Sequence, residues 1–514
     1  MPHTPLLQQL ASWFRTAAAR TPNEAAATVD RRSFLGAMPA AAMAIAWPGQ
    51  MQRGRHQTGT IAVVGGGLAG LTCAYRLHQR GLHATVFEAN TRFGGRCWTR
   101  RGDFAAGQIA EHGGELIDQS HHAIRSLAQE FNLQTANVLA AQANGTETRY
   151  HFFGSNYPRQ IAAKDLRDVW KQMHRDLIDA GYPTTYTNST ARGRQLDQMS
   201  IAQWITNTVP GGLGSPLGSL LATAYVIEYG ADAHEQSALN LLYLLGYSGP
   251  GHLRLFGPSN EKYTIVGGND QLPTLLAAQV ANQLEPSHRL LAVAKLPTGR
   301  IRLTFATPGG TSVQDFDHVV FALPFAVLRS AVDLTASGWS ARKLLAIQAL
   351  GRGANSKLNV QFATRHWRPI GSNGETFSDL GYQATWEVTR GQPGTQGILV
   401  NYTGGTVATS FGGANALVRA QQFRQQIEPV LPGSLANANG LATLDTWHDS
   451  AFAQCSYSYW KVGQYQQFAG VEGEPEGNAW FCGEHTSQDA QGYLEGAVET
   501  GERAADEVAT VLGH

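Results

Sequence analysis

Cysteine is scarce in this chain. Only four cysteines occur in 514 residues, which excludes a disulfide framework, and none of them forms a CxxC pair that would suit zinc. No HExxH motif is present either, so no metal site is expected. The 39 basic and 39 acidic side chains cancel, which gives no electrostatic signature for nucleic acid or an anionic membrane surface. The sequence also lacks a GxSxG elbow and a GxxxxGK phosphate loop.

The N-terminal 46 residues resemble a processing segment. Arg31 and Arg32 precede Ser33-Phe34-Leu35 and a short Ala-rich apolar run, a pattern typical of a twin-arginine export signal. The run covers about a dozen residues, short of the roughly 20 needed to span a bilayer, so we expect cleavage near residues 44–46 and no stable membrane anchor. The pattern predicts a periplasmic or secreted protein that engages the export machinery. An Ala-rich helix that happens to follow two arginines is the alternative.

Residues 60–90 predict a nucleotide-binding βαβ unit. A continuous apolar strand over 61–64 leads into Gly65, Gly67 and Gly70, at the spacing GxGxxG, and Leu68 and Ala69 begin the helix. These glycines allow a sharp turn, close approach of backbone N–H groups to a pyrophosphate, and close helix–strand packing. The second strand ends on Glu88, whose carboxylate suits the ribose hydroxyls of an adenosine. An ordinary glycine-rich turn is the alternative for the three glycines.

Several further motifs resemble the flavin amine oxidase family, which comprises FAD-dependent monoamine, polyamine and L-amino-acid oxidases. Gly94, Gly95 and Arg96 follow the second strand and are similar to the family's flavin-side clamp. The other matching motifs occur in the family's order: EHGGELI at 111–117, YTIVGGNDQLPTLLA at 263–277, HVVFALP at 318–324, GANSKLNVQF at 353–362 and the closing segment at 479–509. The resemblance runs from Ile61 to about Leu512.

The resemblance implies an α/β fold in which a Rossmann-type, GR2-like FAD-binding domain carries an inserted α+β substrate-binding domain. The FAD-binding domain would be discontinuous, assembled from residues 58–115, 263–325 and 447–514. Residues 116–262 and 326–446 would form the substrate-binding domain, helical in the first segment and sheet-rich in the second. Alternating apolar residues in SKLNVQF and GILVNY agree with strands in the second segment.

The resemblance also assigns roles to residues of the closing segment and of one strand. Gly483 and Glu484 would lie at the FAD ribityl and phosphate region, and Tyr493 would face the flavin across the substrate, with the Gly492 carbonyl receiving the amine N–H. Lys357 would hold a water near flavin N5. The implied reaction is oxidative deamination by hydride transfer to flavin N5, with O2 reduced to H2O2. Without the resemblance, Glu484 could be a cap, Tyr493 a core aromatic and Lys357 a solvated strand residue.

The opposite side of the substrate site is less clear from the sequence. Cys455 aligns with the cysteine that bonds covalently to the flavin in monoamine oxidases, but a small buried hydrophobic role is an alternative. Ser456 stands where those enzymes have their second aromatic residue. The aromatic pair is therefore incomplete, or it is completed by Tyr457, Tyr459 or Trp460.

The substrate is the least determined feature of the sequence. L-amino-acid oxidases place an arginine shortly after the glycine pair 113–114 to bind the carboxylate, whereas this chain has Glu115 and Leu116 there. Glu115 and Glu228 could instead attract a cationic amine, with Tyr229 and Trp386 lining the pocket. Three alternatives stay open: an L-amino-acid oxidase with a relocated clamp such as Arg254, a dehydrogenase with another electron acceptor, and an exported flavin-binding module without turnover. A homodimer is also left open.

Overall fold

A computed structural model of the protein describes residues 59–514, so the predicted export signal lies outside the described residues. The first strand of the described chain stands in the middle of a five-stranded parallel sheet. In spatial order, this sheet contains the strands Ala479–Phe481, His318–Phe321, Ile61–Val64, Ala84–Phe87 and Leu284–Glu285. Its central strands are apolar because both faces are covered by other elements.

Parallel pairing brings the ends of strands that are remote in the chain to one edge of this sheet. Val64 pairs in register with Phe321 and Phe87, and Phe321 pairs with Phe481. The residues that follow these four strands therefore emerge side by side, which is the usual position of a ligand site in an open parallel sheet. The last helix, Leu494–Leu512, packs against the first, Leu68–Gln79: a Cβ added at Gly501 would lie 2.4 Å from the Ala69 carbonyl oxygen.

A larger, mixed sheet forms the second layer of strands. It contains, in spatial order, Ala438–Thr446, Asn355–Phe362, Gly397–Gly404, Ala384–Glu387, Ser372–Ser378, Glu147–Phe152 and Ser155–Asn156. The strand Asn355–Phe362 is buried along its whole length between two antiparallel neighbours, which explains why a lysine can lie there without reaching the surface.

The helices of the segment 116–262 that follow His122–Glu130 pack beside this sheet around a shared apolar core. His122–Glu130 packs instead with residues of the helices Leu68–Gln79 and Leu494–Leu512. The helices of the described chain that lie in this segment are His122–Glu130, Arg159–Ala180, Ala191–Asp197, Ile201–Thr208, Pro216–Tyr229 and Ala238–Leu245. The helices later in the chain, apart from the last, are Gln271–Gln279, Phe325–Ala331, Ala341–Ala349, Gly405–Thr409, Ala416–Ile427 and Gln464–Phe468. None of the helices within 59–514 is both long and apolar enough to cross a membrane.

Smaller sheets complete the fold and cross the domain boundaries expected from the sequence. A four-stranded sheet contains Gly310–Phe316, Ile301–Thr307, Arg289–Lys295 and Asp333–Ala336. Its last strand lies beyond residue 325, where the sequence analysis ended the cofactor segment, so this sheet continues past that limit. Three two-stranded sheets pair Thr99–Arg100 with Ala110–Glu111, Thr135–Asn137 with Tyr263–Ile265, and Gly351–Arg352 with Ser458–Tyr459.

Candidate active site

One large cavity of about 680 Å³ connects the carboxyl edge of the parallel sheet with the mixed sheet. Residues from both ends of the described chain line it, and sixteen of the predicted site residues are among them. Those predicted for the cofactor are Gly65, Gly67, Leu68, Ala69, Glu88, Gly95, Arg96, Gly483 and Glu484. Those predicted for catalysis or substrate binding are Glu115, Glu228, Tyr229, Lys357, Trp386, Gly492 and Tyr493.

The glycine turn after the first strand leaves no room for side chains except toward the cavity. A Cβ added at Gly70 would lie 2.0 Å from the Gly65 carbonyl oxygen, and Gly65 itself has φ +111°. Gly70 therefore lies outside the lining and allows the helix to pack closely on the turn. At Gly67, by contrast, the closest neighbour of an added Cβ is the Gly95 Cα at 3.9 Å. Gly67 is the N-cap of the first helix, so the helix N-terminus, a favourable place for a phosphate, opens toward the cavity.

Glu88 is held at the end of the second strand. Its two carboxylate oxygens accept hydrogen bonds from the backbone N–H groups of Gly66 and Asn90, both at 2.8 Å. Burial raises the pKa of Glu88, although these N–H donors partly oppose the rise. Each oxygen keeps a second lone pair, which a ribose hydroxyl can use.

An ion pair joins the glycine-rich segment to the end of the chain. Arg96 Nη1 donates to Glu484 Oε1 at 3.1 Å and to the Ser456 carbonyl oxygen at 2.7 Å. Glu484 also accepts from the Ser458 hydroxyl at 2.8 Å and from the Gly492 N–H at 3.1 Å. Burial alone would raise the pKa of Glu484, but the charge of Arg96 and the hydrogen bonds outweigh it, so its pKa is lowered. Glu484 therefore organises the closing segment as an anion.

These features fit FAD. The wall of the cavity offers a helix N-terminus without a side-chain cap, glycines that let backbone approach a diphosphate, and a carboxylate at the strand end for a ribose. The final strand and helix contribute to the same wall through Gly483 and Glu484.

Lys357 lies in the strand Asn355–Phe362 of the mixed sheet, and its side chain forms part of the cavity wall. Its ammonium donates to Glu115 Oε2 at 2.7 Å and to the Gly113 carbonyl oxygen at 3.1 Å. The other oxygen of Glu115 accepts from the Trp386 indole N–H at 2.9 Å. From the sequence, Glu115 and Trp386 were expected to face the substrate. In the structure both Glu115 oxygens are directed at protein partners, Lys357 and Trp386, which lie on the two strands that flank Gly397–Gly404 in the mixed sheet.

Tyr493 and Glu228 form a second pair in the cavity. The Tyr493 hydroxyl donates to Glu228 Oε1 at 2.9 Å. Burial raises the pKa of Glu228 to about 7 and that of Tyr493 well above its ordinary value. Tyr229, the neighbour of Glu228 in the chain, also lines the cavity.

Glu261 is a lining residue that the sequence analysis did not identify. It has a left-handed backbone (φ +47°), and the turn that carries it is fixed by Asp118. Asp118 Oδ1 accepts from the Ser259 hydroxyl, the Asn260 N–H and the Glu261 N–H, at 3.0, 2.9 and 2.6 Å. Burial, and then the charge of Glu228, raise the pKa of Glu261 well above its usual value. No periodicity or motif marks this residue, because its position depends on a contact with a segment 143 residues away.

Of the three aromatic candidates near Ser456, only Tyr457 lines the cavity in the described chain. Its hydroxyl donates to the Ile227 carbonyl oxygen at 3.0 Å and lies 3.0 Å from the Tyr402 hydroxyl. Tyr459 is buried against Gly351 in a two-stranded sheet, and Trp460 packs in a core with Phe468. Neither ring lines the cavity, because Tyr459 is held in the pairing with Gly351 and Trp460 is held in that core.

Cys455 is also outside the lining of the large cavity. Its Sγ lies 3.4 Å from the Ala453 carbonyl oxygen and faces a small second cavity with Arg329 and His485. Burial raises the pKa of this thiol to about 11. Within residues 59–514 no group of three or more histidine, cysteine or acidic side chains is placed to hold a metal ion.

Comparisons with known proteins agree with this geometry. Residues 68–509 match the family model described as flavin containing amine oxidoreductase. The chain is 25% identical over 469 residues to the flavin-containing amine oxidase B of Sus scrofa, covering 88% of this chain and 86% of that one.

Solved structures show the same fold, which confirms the predicted α/β class. A putrescine oxidase bound to putrescine has a TM-score of 0.75 at 20% identity, and 88% of this chain covers 99% of that chain. A cyclohexylamine oxidase from Brevibacterium oxydans has a TM-score of 0.76 at 19% identity, with 89% and 100% covered. Since the family model spans most of the chain and the cavity fits the nucleotide, the protein belongs to the flavin-containing amine oxidoreductases and uses FAD.

Proposed function

We propose that the protein oxidatively deaminates a primary amine that carries a second, protonated nitrogen, such as a diamine or polyamine, with O2 reduced to H2O2. The observation that carries this proposal is the pair of carboxyl groups, Glu228 and Glu261, in the wall of one cavity. Burial is the main cause of the raised pKa of both residues, and nearby acids add to it: Asp118 for Glu228, and Glu228 and then Asp118 for Glu261. A cationic ligand beside them would therefore relieve an unfavourable clustering of carboxyl groups.

The lining argues against an L-amino acid as substrate. An α-carboxylate needs a cation that is available to pair with it. The cations that line the cavity in the described chain are Arg92, Arg96, Arg289 and Lys357. Arg96 and Lys357 are paired with Glu484 and Glu115. Arg92 lies near Glu88, and Arg289 follows His288, whose N–H donates to the Glu88 carbonyl oxygen, so both belong to the part assigned to the cofactor. Arg254, the relocated clamp considered from the sequence, does not line the cavity.

The remaining walls suit the carbon chain of an amine. Gly492 precedes Tyr493 in the chain and lies close to Tyr457, since a Cβ added at Gly492 would be 3.6 Å from the Tyr457 ring. Tyr229 and Tyr402 extend this aromatic surface. Aromatic faces attract a cationic amine as well as methylene groups, so they support binding of the substrate without adding charge.

Bound FAD supplies the two-electron oxidant for the C–N bond, and the protein positions the groups around it. In our proposal, Glu228 attracts the second, protonated nitrogen while the Tyr493 hydroxyl holds its carboxylate in place, and the Gly492 carbonyl accepts from the N–H of the amine that is oxidised. Gly65, Gly67, Leu68, Ala69, Glu88, Gly95, Arg96, Gly483 and Glu484 hold the cofactor. Lys357 supplies a positive charge in the cavity wall, which would stabilise the negative charge that O2 acquires on accepting an electron.

A matched substrate series tests the proposal. Purified protein loaded with FAD is assayed for H2O2 with 1,4-diaminobutane, 1-aminobutane, longer polyamines and L-amino acids. We expect kcat/KM to be at least about tenfold higher for the diamine than for the monoamine, since one hydrogen bond to a charged group is worth about 1.5–3 kcal/mol. Equal values, or a preference for an L-amino acid, would overturn the substrate assignment. Anaerobic bleaching of the flavin by diamine without H2O2 in air would identify a dehydrogenase instead.

We also propose export by the twin-arginine route to the periplasm or beyond, on the basis of Arg31, Arg32 and the apolar run after them. Replacing both arginines by lysine should leave the protein in the cytoplasm of its host cell, as judged by fractionation. Unchanged export of the double variant would refute this signal. Association into a homodimer remains a prediction that sedimentation of the purified protein would test.

A further inference from the structure

Lys357 and Glu115 form a buried ion pair at the cavity. Their side chains are only 5% and 7% exposed, and the ammonium and carboxylate lie 2.7 Å apart. Two charges are stable at a site so poorly exposed to water only when their remaining hydrogen-bonding groups also have partners. The Gly113 carbonyl oxygen satisfies part of the ammonium, and the Trp386 indole N–H satisfies the second oxygen of Glu115.

The backbone that carries Glu115 is fixed from the other side. The Asn269 amide donates to the carbonyl oxygens of Gly114 and Glu115 at 3.1 and 2.8 Å. At Gly113, an added Cβ would lie 2.1 Å from the Arg96 carbonyl oxygen, so this segment is pressed against the glycine-rich turn that follows the second strand. Glu115 is thus anchored to the cofactor side through its backbone and to the mixed sheet through its side chain.

We propose that Glu115 is a positioning residue for Lys357: it holds the ammonium at a fixed point in the cavity wall and balances its charge, and it does not bind the substrate. This inference uses the role of Lys357 in the proposed function for its kinetic consequence, but its electrostatic consequence does not depend on which substrate or acceptor the enzyme uses. Glu228 and Glu261 then remain as the carboxyl groups available to the amine.

The pair makes an electrostatic prediction with opposite signs for its two members. Glu115→Gln leaves a cation without its partner, whereas Lys357→Met leaves an anion. An unbalanced cation favours the more negative, reduced form of a bound redox group, and an unbalanced anion disfavours it. The midpoint potential of bound FAD should therefore rise in Glu115→Gln, fall in Lys357→Met and return close to the wild-type value in the double variant.

The potentials are measured on the holoenzymes by equilibration with a reference dye, without amine or oxygen. Shifts of opposite sign that cancel in the double variant are the expected result. No shift in Glu115→Gln, or a shift in the same direction as in Lys357→Met, would overturn the proposal. Failure to oxidise diamines would refute the proposed function alone, because the potentials are read without substrate.

Stopped-flow kinetics separate positioning from substrate binding. Each holoenzyme is reduced with dithionite and mixed with O2, and in a second experiment it is reduced anaerobically by 1,4-diaminobutane. Misplacing a catalytic group by about 1 Å can cost on the order of a hundredfold, so we expect reoxidation of Glu115→Gln to be at least about tenfold slower. The diamine Kd should change far less than in Glu228→Gln. A raised diamine Kd together with wild-type reoxidation in Glu115→Gln would show that Glu115 binds the substrate and would overturn the proposal.

Glu115→Asp keeps the charge but shortens the side chain, and it carries the test if Glu115→Gln does not fold. Its midpoint potential should stay near the wild-type value while reoxidation slows, because the charge is balanced but the ammonium is no longer held in place. Wild-type reoxidation in this variant would show that the position set by Glu115 is unimportant and would refute the positioning role.

Discussion

Replacing Glu228 by glutamine should abolish much of the preference for a diamine over a monoamine. The amide oxygen of glutamine can still accept the Tyr493 hydroxyl, so the variant removes the charge and keeps the hydrogen bond seen at 2.9 Å. The pKa of Glu228 rises from 4.5 to about 7 on burial, which corresponds to roughly 3 kcal/mol against the ionised form. A protonated nitrogen beside the carboxylate can recover an energy of this size.

The assay is the ratio of kcat/KM for 1,4-diaminobutane to that for 1-aminobutane. The worth of a hydrogen bond to a charged group, about 1.5–3 kcal/mol, predicts that Glu228→Gln lowers the ratio roughly ten- to hundredfold. Glu499→Gln is the matched control: burial also raises the pKa of Glu499 to about 7, and it accepts a hydrogen bond from the Ser487 hydroxyl, but it does not line the cavity. The control should keep the wild-type ratio.

The same ratio should depend on pH in the wild type but not in Glu228→Gln. Below its pKa of about 7, Glu228 takes up a proton and loses its attraction for a cation, so the ratio should fall roughly tenfold between pH 8 and pH 6. Glu261 does not reverse this sign, because its pKa is also raised by burial, and a carboxyl group that takes up a proton can only lose attraction for a cation. The monoamine corrects for titration of the reacting nitrogen. A wild-type ratio that does not change with pH, or a ratio in Glu228→Gln as high as that of the wild type, would refute the reasoning.

Three further outcomes follow from the structure. Gly70→Ala should lose bound FAD, because the added Cβ would lie 2.0 Å from the Gly65 carbonyl oxygen. Gly214→Ala is the control and should retain FAD, because an added Cβ there meets open space. Visible absorbance measures the bound FAD, and a yellow Gly70→Ala protein would contradict the turn geometry. Denaturation should release FAD from the wild type and from Cys455→Ser alike, because the Cys455 Sγ lies outside the large cavity. Yellow flavin colour that stays with the denatured wild-type polypeptide, but not with Cys455→Ser, would contradict this. The free energy of unfolding should decrease as pH falls from about 6.5 to 4. Burial lowers the pKa of His485 to about 4 in the folded protein, so over this range the His485 imidazole takes up a proton in the unfolded chain but not in the folded one. His485→Phe should flatten that part of the urea-unfolding profile, and an unchanged slope would exclude His485 as its source.

Local sequence was enough to predict the cofactor site. The strand, the glycine turn, the helix and Glu88 lie within thirty residues, and each has a backbone or hydrogen-bonding reason to occur at its position. The family resemblance extended this to Glu484, which lies far along the chain, and to the lysine in a buried strand. The family match confirms FAD as the cofactor.

The substrate end could not be predicted in the same way. Glu115 and Glu228 were equivalent from the sequence, both acids near expected site residues, yet the structure turns Glu115 toward Lys357 and leaves Glu228 with Tyr493. Tyr457 and Tyr459 are two residues apart, yet only Tyr457 lines the cavity, whereas Tyr459 is held in the pairing with Gly351.

The sequence by itself therefore determined the nucleotide turn, which depends on short-range backbone geometry, and its resemblance to a family, carried by motifs in a fixed order, implied the class of fold and the flavin. The tertiary structure alone decided which carboxyl groups are already paired and which face the cavity. That choice depends on contacts between segments more than a hundred residues apart, such as Asp118 with Glu261 and Glu115 with Lys357, and no local pattern encodes such contacts.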